Sequence, residues 1–162
     1  MGIRLEGDIR KLLSKLKQLG SIDRKHINAD IAEMIRSSTR QRFRTQKGPD
    51  GKRWVPSKRA QLEGGLTLSD TARLKNSIRA RADSDGFAVG TNTIYAATHQ
   101  FGEKGRTIRA SGPKGLRFQI NGQWVNVKAV RVRIPARPFI GLSADDQDEL
   151  KAILEAELKK EG

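Results

Sequence analysis

The dipeptide Asn121-Gly122 lies between two runs that alternate apolar and polar residues, Leu116-Arg-Phe-Gln-Ile120 and Gln123-Trp-Val-Asn-Val127. No other local feature constrains the fold as tightly. A two-residue Asn-Gly turn tolerates positive φ at both central positions and matches the twist of the flanking strands. It sets Phe118 opposite Val125 and Leu116 opposite Val127, both pairs on one face. Beyond Val127 the apolar parity moves to Val130, Val132 and Ile134, which predicts a bulge or a change of buried face. A second hairpin is predicted around Asp83-Ser-Asp-Gly86, with Ala80 and Ala82 before it and Phe87 and Val89 after it on one face.

Helical spacing governs both ends of the chain. Leu5, Ile9, Leu12, Leu13, Leu16 and Leu19 recur every three or four residues, with Gly20 as a stop. Ile27, Ile31, Met34 and Ile35 restart the pattern, with Ser21 or Asp23 as its cap. The helix then turns basic through Arg36, Arg40, Arg42, Arg44 and Lys47, with Phe43 among them. Gly48-Pro-Asp-Gly51 predicts a turn, leading to an extended Lys52–Pro56 segment and a polar loop. Ser69 or Asp70 is expected to cap a short helix through Leu74 to Ile78, and Thr93–Phe101 fits another. Ser143-Ala-Asp-Asp146 approximates a capping box for a last amphipathic helix carrying Leu150, Ile153, Leu154 and Leu158. Residues 102–115 hold four glycines, four Lys/Arg and one large apolar residue, Ile108. That composition predicts a mobile arm. The expected fold is α+β in one domain, with N-terminal helices and a C-terminal helix around a curved antiparallel sheet bearing a long mobile hairpin or arm.

Charge is unevenly placed. The 162 residues carry a formal net charge of +14, but residues 141–162 hold seven acids against three Lys/Arg. A basic body with an acidic tail suits a polyanion, a solvated surface, or a basic face matched to an acidic neighbour. Cysteine is absent, which excludes disulfides and thiolate metal sites. No run has the roughly 20 apolar residues of a membrane span, and charges occupy the place of a signal peptide's apolar segment. The chain is expected to fold in the cytosol.

Catalytic chemistry finds little support. Neither His26 nor His99 shows a second ligand at helical spacing, which argues against a metal site. A Ser69/Asp70/His99 hydrolase lacks the Gly-x-Ser-x-Gly elbow. Gly48-Pro-Asp-Gly-Lys52 is too short for a phosphate loop, and Arg53 stands where Ser or Thr would follow the lysine. No cofactor is expected. Aromatic residues, 5% of the chain, are sparse for a nucleic-acid stacking platform. Trp54 and Trp124 each allow two readings, a stacking residue or one that covers a sheet face or a subunit contact.

Two strings remain, Tyr95-Ala-Ala-Thr-His-Gln-Phe-Gly102 and Ile134-Pro-Ala-Arg-Pro-Phe-Ile-Gly141. Both join aromatic anchors to backbone-restricting residues, which suits a surface that assembles. Prolines on either side of Arg137 stiffen the approach to Phe139, as a contact or as a strand turning Phe139 into the core. With Pro49-Asp-Gly51, Trp54, Pro56, Leu68-Ser-Asp-Thr71, Leu74, Ser77-Ile78 and Val89-Gly-Thr91, these strings form an ordered pattern. It resembles the phage virion-morphogenesis family, the tail-completion proteins of Mu-like and related tailed phages and prophages. The likeness runs from about Phe43 to Leu158. Ala72 departs from it, since a glycine is expected after the threonine.

The resemblance implies a non-enzymatic protein of tail completion or head–tail joining, acting as an oligomeric ring. Its implied partners are other copies of itself and tail-tube or neck proteins, with non-specific contact to DNA as the alternative and no membrane. Its place is the virion, and the host cytoplasm during assembly. Candidate subunit or partner contacts are Trp54, His99, Phe101, Trp124, Arg137 and Phe139. Arg106, Arg109, Lys114 and Arg117 form a basic arm that faces either DNA or an acidic neighbour. The second reading is a nucleic-acid-binding module that ignores sequence.

Overall fold

A computed structural model describes residues 3–7, 23–120 and 122–160. Its longest element is helix α1, Arg24–Thr45. The Asp23 carboxylate caps it by accepting from the His26 N–H at 3.1 Å, the second of the two expected caps. Ile27, Ile31, Ile35 and Phe43 share its buried side. Burying each such side chain fully stabilises the fold by about 1.5–3 kcal/mol. The helix ends at Gln46, in the left-handed region at φ 59°. The Gln46 side chain ties this end to the next loop, donating to Thr67 O at 3.1 Å and accepting from Thr67 N at 2.8 Å.

Against α1 lies an antiparallel three-stranded sheet of β1 (Ile3–Gly7), β3 (Phe87–Thr91) and β2 (Arg79–Ala82), in the order β1-β3-β2. Ala80 pairs with Val89 and Ala82 with Phe87, as the alternation predicts. The Asp83 carboxylate closes this turn by accepting from the N–H groups of Asp85 at 2.8 Å and Gly86 at 3.0 Å. At Leu5, β1 corrects the start of the expected first helix. Ile3 and Leu5 also alternate, and Leu5 pairs with Val89, which is fully buried. A ladder to an apolar central strand satisfies backbone groups and side chains together, so the two-residue period wins here. Gly90 lets β1 approach closely: a Cβ there would lie 2.5 Å from Ile3 O. Ile9 to Leu19 of the expected helix, and the alternative cap Ser21, lie outside the described residues.

Two short helices follow α1. α2 (Lys58–Leu62), capped by the Ser57 hydroxyl, occupies the expected polar loop. α3 (Arg73–Asn76) starts later than expected and is capped by neither Ser69 nor Asp70. Leu68 and Ala72 both take positive φ, 62° and 54°, so the chain reverses twice before helical geometry begins at Arg73. Helix α4 (Ala96–Phe101) fulfils the expectation for that stretch.

Strand β4 (Glu103–Arg109) occupies much of the expected arm and pairs antiparallel with β7 (Ala129–Ile134). Between them, β5 (Leu116–Ile120) and β6 (Gln123–Val127) form the hairpin in its expected register, Phe118 opposite Val125 and Leu116 opposite Val127. Gly122 supplies a φ of 80° at the turn; Asn121 lies outside the described residues. The parity switch falls at Lys128, where the chain changes partner from β5 to β4 and the Lys128 carbonyl accepts from Ala110 N at 2.8 Å. The expected curved sheet is therefore three separate antiparallel ladders. No described residue of 103–134 belongs to the core cluster.

The last helix, α5 (Ala144–Lys160), packs on α1 through Leu150, Ile153 and Leu154. Ser143 and Asp146 cap it reciprocally: Asp146 N donates to Ser143 Oγ at 3.2 Å and Ser143 N to the Asp146 carboxylate at 2.8 Å.

Candidate assembly surfaces

Residues 134–141 are held by side chains from three other segments. The Arg42 guanidinium donates to the carbonyls of Phe139 at 2.8 Å and Gly141 at 2.9 Å, and pairs with the buried Asp146 carboxylate. Burial alone raises the Asp146 carboxyl. Hydrogen bonds from Ser143 and Ser38 and the charge of Arg42 outweigh it, leaving the group below its ordinary value. Gln100 of α4 accepts from the N–H groups of Phe139 at 3.0 Å and Ile140 at 3.1 Å, and donates to Ile140 O at 2.8 Å. Trp54 Nε1 donates to Pro138 O at 2.8 Å. The Phe43 ring meets Trp54 edge-on at 5.5 Å and Phe139 at 5.4 Å. The two marked strings thus meet each other, through Gln100 and through Arg137 N, which donates to His99 O at 2.7 Å.

This arrangement sorts the candidate contacts. Trp54, Arg137 and Phe139 are buried, so their side chains serve the interior and offer no surface. Arg137 donates to the carbonyls of Val55 at 2.6 Å and Pro56 at 3.5 Å. Burial lowers its pKa. His99 is half-buried beside Tyr95, with no partner for Nδ1. Burial, with help from the Arg137 charge, holds it below its ordinary value. Phe101 and Trp124 remain outward at 72% and 60% exposure.

The four basic-arm residues all lie on the ribbon formed by β4–β7. Arg106 pairs with Glu103 at 3.3 Å, Arg109 and Lys114 are exposed, and Arg117 stacks over Trp124 at 4.6 Å. With Lys104, Lys128, Arg131 and Arg133, residues 103–134 carry eight Lys/Arg against one acid, Glu103.

The hydrolase candidates do not share a cavity. Ser69 lines a cleft on α1, whereas Asp70 and His99 line a smaller cavity of about 160 Å³ with Ser57 and Tyr95. The metal reading needs correction. Asp30 follows His26 by one helical turn, with His26 Nε2 3.4 Å from its carboxylate. Glu157 of α5 joins them, and the three ligating atoms lie within 4.8 Å of one another. The i,i+4 spacing was visible in the sequence; the third ligand, from the other end of the chain, was not. Among the described residues, these three are grouped closely enough to hold a divalent ion.

A further feature escaped the sequence reading. Arg36, Arg40 and Arg44 follow one another at four-residue intervals along α1. With Lys75, Asn76 and Ser69 they line a cleft of about 540 Å³. The spacing was legible; the wall opposite, residues 66–76, is set by the left-handed turns at Leu68 and Ala72.

Comparison with known proteins identifies the family. The model of the phage virion morphogenesis family matches residues 6–159, and the chain belongs to that family. It is 29% identical to the Mu-like prophage FluMu G protein 2 of Haemophilus influenzae, over 88% of this chain and 83% of that protein. It is 29% identical to protein G of Escherichia phage Mu, which is named for capsid assembly, over 88% of this chain and 85% of that protein. It is 22% identical to the tail completion protein S of Escherichia phage P2, over 93% of this chain and 94% of that protein. No solved structure matches it at a significant level.

Proposed function

From this membership we propose that the chain is a non-enzymatic component of virion assembly, acting in tail completion or head–tail joining as a ring of identical subunits. The observation that carries the reading is the near end-to-end match to a virion-morphogenesis model and to a tail completion protein. The residue chemistry supports it. The two strings that carry the family pattern make a buried knot of hydrogen bonds and aromatic contacts rather than a reaction site. What remains outside is a basic ribbon, an arginine-lined cleft on α1 and an acidic C-terminal helix. A ring repeats one head-to-tail contact between two different complementary patches, and these surfaces supply both signs of charge. Phe101 and Trp124 are the exposed aromatic contacts on this reading.

The decisive experiment deletes the gene from the phage and supplies the protein in trans. Particles are expected to stall as separate heads and tails, and to mature when the wild-type chain is restored. Full maturation without the gene refutes the assembly role. A substrate turned over at a defined pocket refutes the non-enzymatic one.

A second reading, sequence-independent nucleic-acid binding, is favoured by the stack of Arg117 on Trp124 within a ribbon of eight cations. It separates from the first by salt-titrated DNA binding measured beside the mass in solution. Tight binding by a monomer with a steep salt slope supports it; weak binding by a multimer supports the assembly role.

A further inference from the structure

On the reading that this chain assembles with copies of itself, we propose that the cleft between α1 and residues 66–76 is the socket for the outer face of α5 of a second copy. No carboxylate lines the cleft. Arg44 and Lys75 have no ion-pair partner among the described residues, and Arg40 bonds to the neutral Asn76 Oδ1 at 3.4 Å, with the Glu33 charge acting on it only through space. Arg36 is held by Glu33 on the same helix. The Ser69 hydroxyl is buried without a partner. A concave wall of cations and unused donors is suited to a row of carboxylates, which accept charge-assisted hydrogen bonds from several directions.

α5 presents such a row. Its inner side is occupied by Leu150, Ile153 and Leu154 against the core. Its outer side exposes Asp145, Asp148, Glu149 and Glu155, with Ala152 between them and Ala156 just beyond, at helical three- and four-residue spacing. The small alanines let the helix come close. The lengths agree: Arg36 to Arg44 spans about 12 Å along α1, and Asp145 to Glu155 about 15 Å along α5. The Asp148–Lys151 pair, at 3.2 Å, is exposed and exchanges readily for a new partner. Duplex DNA is also anionic, but it is a convex cylinder too broad for a cleft of about 540 Å³. A row of side chains on a helix enters it. Socket and row lie on different elements of one chain, so the contact is able to repeat head-to-tail, and it closes into a ring where the rotation between copies allows.

The absence of cysteine makes the test direct. Two single variants, Arg44→Cys and Glu149→Cys, are mixed and oxidised, so that any 44–149 bond is between chains. If the purified protein is monomeric, the two are co-expressed during phage growth and the particles oxidised. The mixed dimer is expected to exceed either homodimer several-fold. Arg40→Glu/Arg44→Glu and Asp148→Lys/Glu149→Lys are each expected to lose the multimer, and their mixture to regain it, because reversed charges match again. A multimer that persists in both variants without the 44–149 bond overturns the socket and leaves the assembly role standing. Loss of DNA binding in Arg40→Glu/Arg44→Glu with the multimer intact assigns the cleft to nucleic acid and overturns it too. No wild-type multimer in solution or in particles refutes the ring itself.

Discussion

Arg42 and Asp146 are the residues on which the interior depends most. Each is more than nine-tenths buried, and Arg42 also carries the Phe139 and Gly141 carbonyls. Removing one partner strands the other charge away from water, which costs about 3–5 kcal/mol. Asp146→Asn is therefore expected to lower stability by that amount in urea titration at neutral pH. The pH dependence follows from the depressed carboxyl. Its stabilisation is complete above the ordinary value of 3.8 and is lost as pH falls through the lower folded value. The variant should lack this acid-side loss. His99, also depressed, withdraws stability earlier, as pH falls below its ordinary 6.5, so the two contributions separate in a pH series. Ala72 stores the opposite kind of opportunity. Its φ of 54° is the left-handed conformation, which costs an L-residue about 1–2 kcal/mol, while glycine adopts it freely. Ala72→Gly, the residue expected from the family pattern, should raise stability by about 1 kcal/mol once the added chain entropy is offset, read from the urea midpoint.

Among the elements, the ribbon of β4, β5, β6 and β7 stands apart. Two-stranded ladders are marginal alone, and none of their residues joins the core cluster. Glu103 pairs with Ile134, so the ribbon leaves and rejoins the body at one place. Replacing residues 104–133 by a short Gly-Ser turn is expected to leave the core within about 1 kcal/mol of the full chain's stability, measured by urea melts. Loss of particle formation by that variant then reflects a missing contact, while an unfolded core contradicts the separation. The elements were unequally legible. α1 and both hairpins declare themselves because their periods and turn residues are local. The start of β1 was read as helix because Leu5 stands four residues before Ile9 as well as two after Ile3, and only Val89 across the ladder decides between the two periods. β4 was hidden because its one glycine and three cations leave one apolar residue, Ile108, and its pairing partner lies beyond the hairpin.

For the molecule as a whole, the pattern of charge and the family motifs were open to reading from the chain alone: a basic body, an acidic end, and two anchored strings in order. Both depend on residue type and spacing, which need no coordinates. Which anchors face outward was decided only by packing. Trp54 and Phe139 close around Phe43, while Phe101 and Trp124 stay in solvent. The pairing of Arg42 with Asp146 spans 104 residues, and the gathering of His26 and Asp30 with Glu157 spans a comparable stretch. Local preference cannot encode such meetings, because they form only when α5 docks on α1 and brings distant side chains within reach.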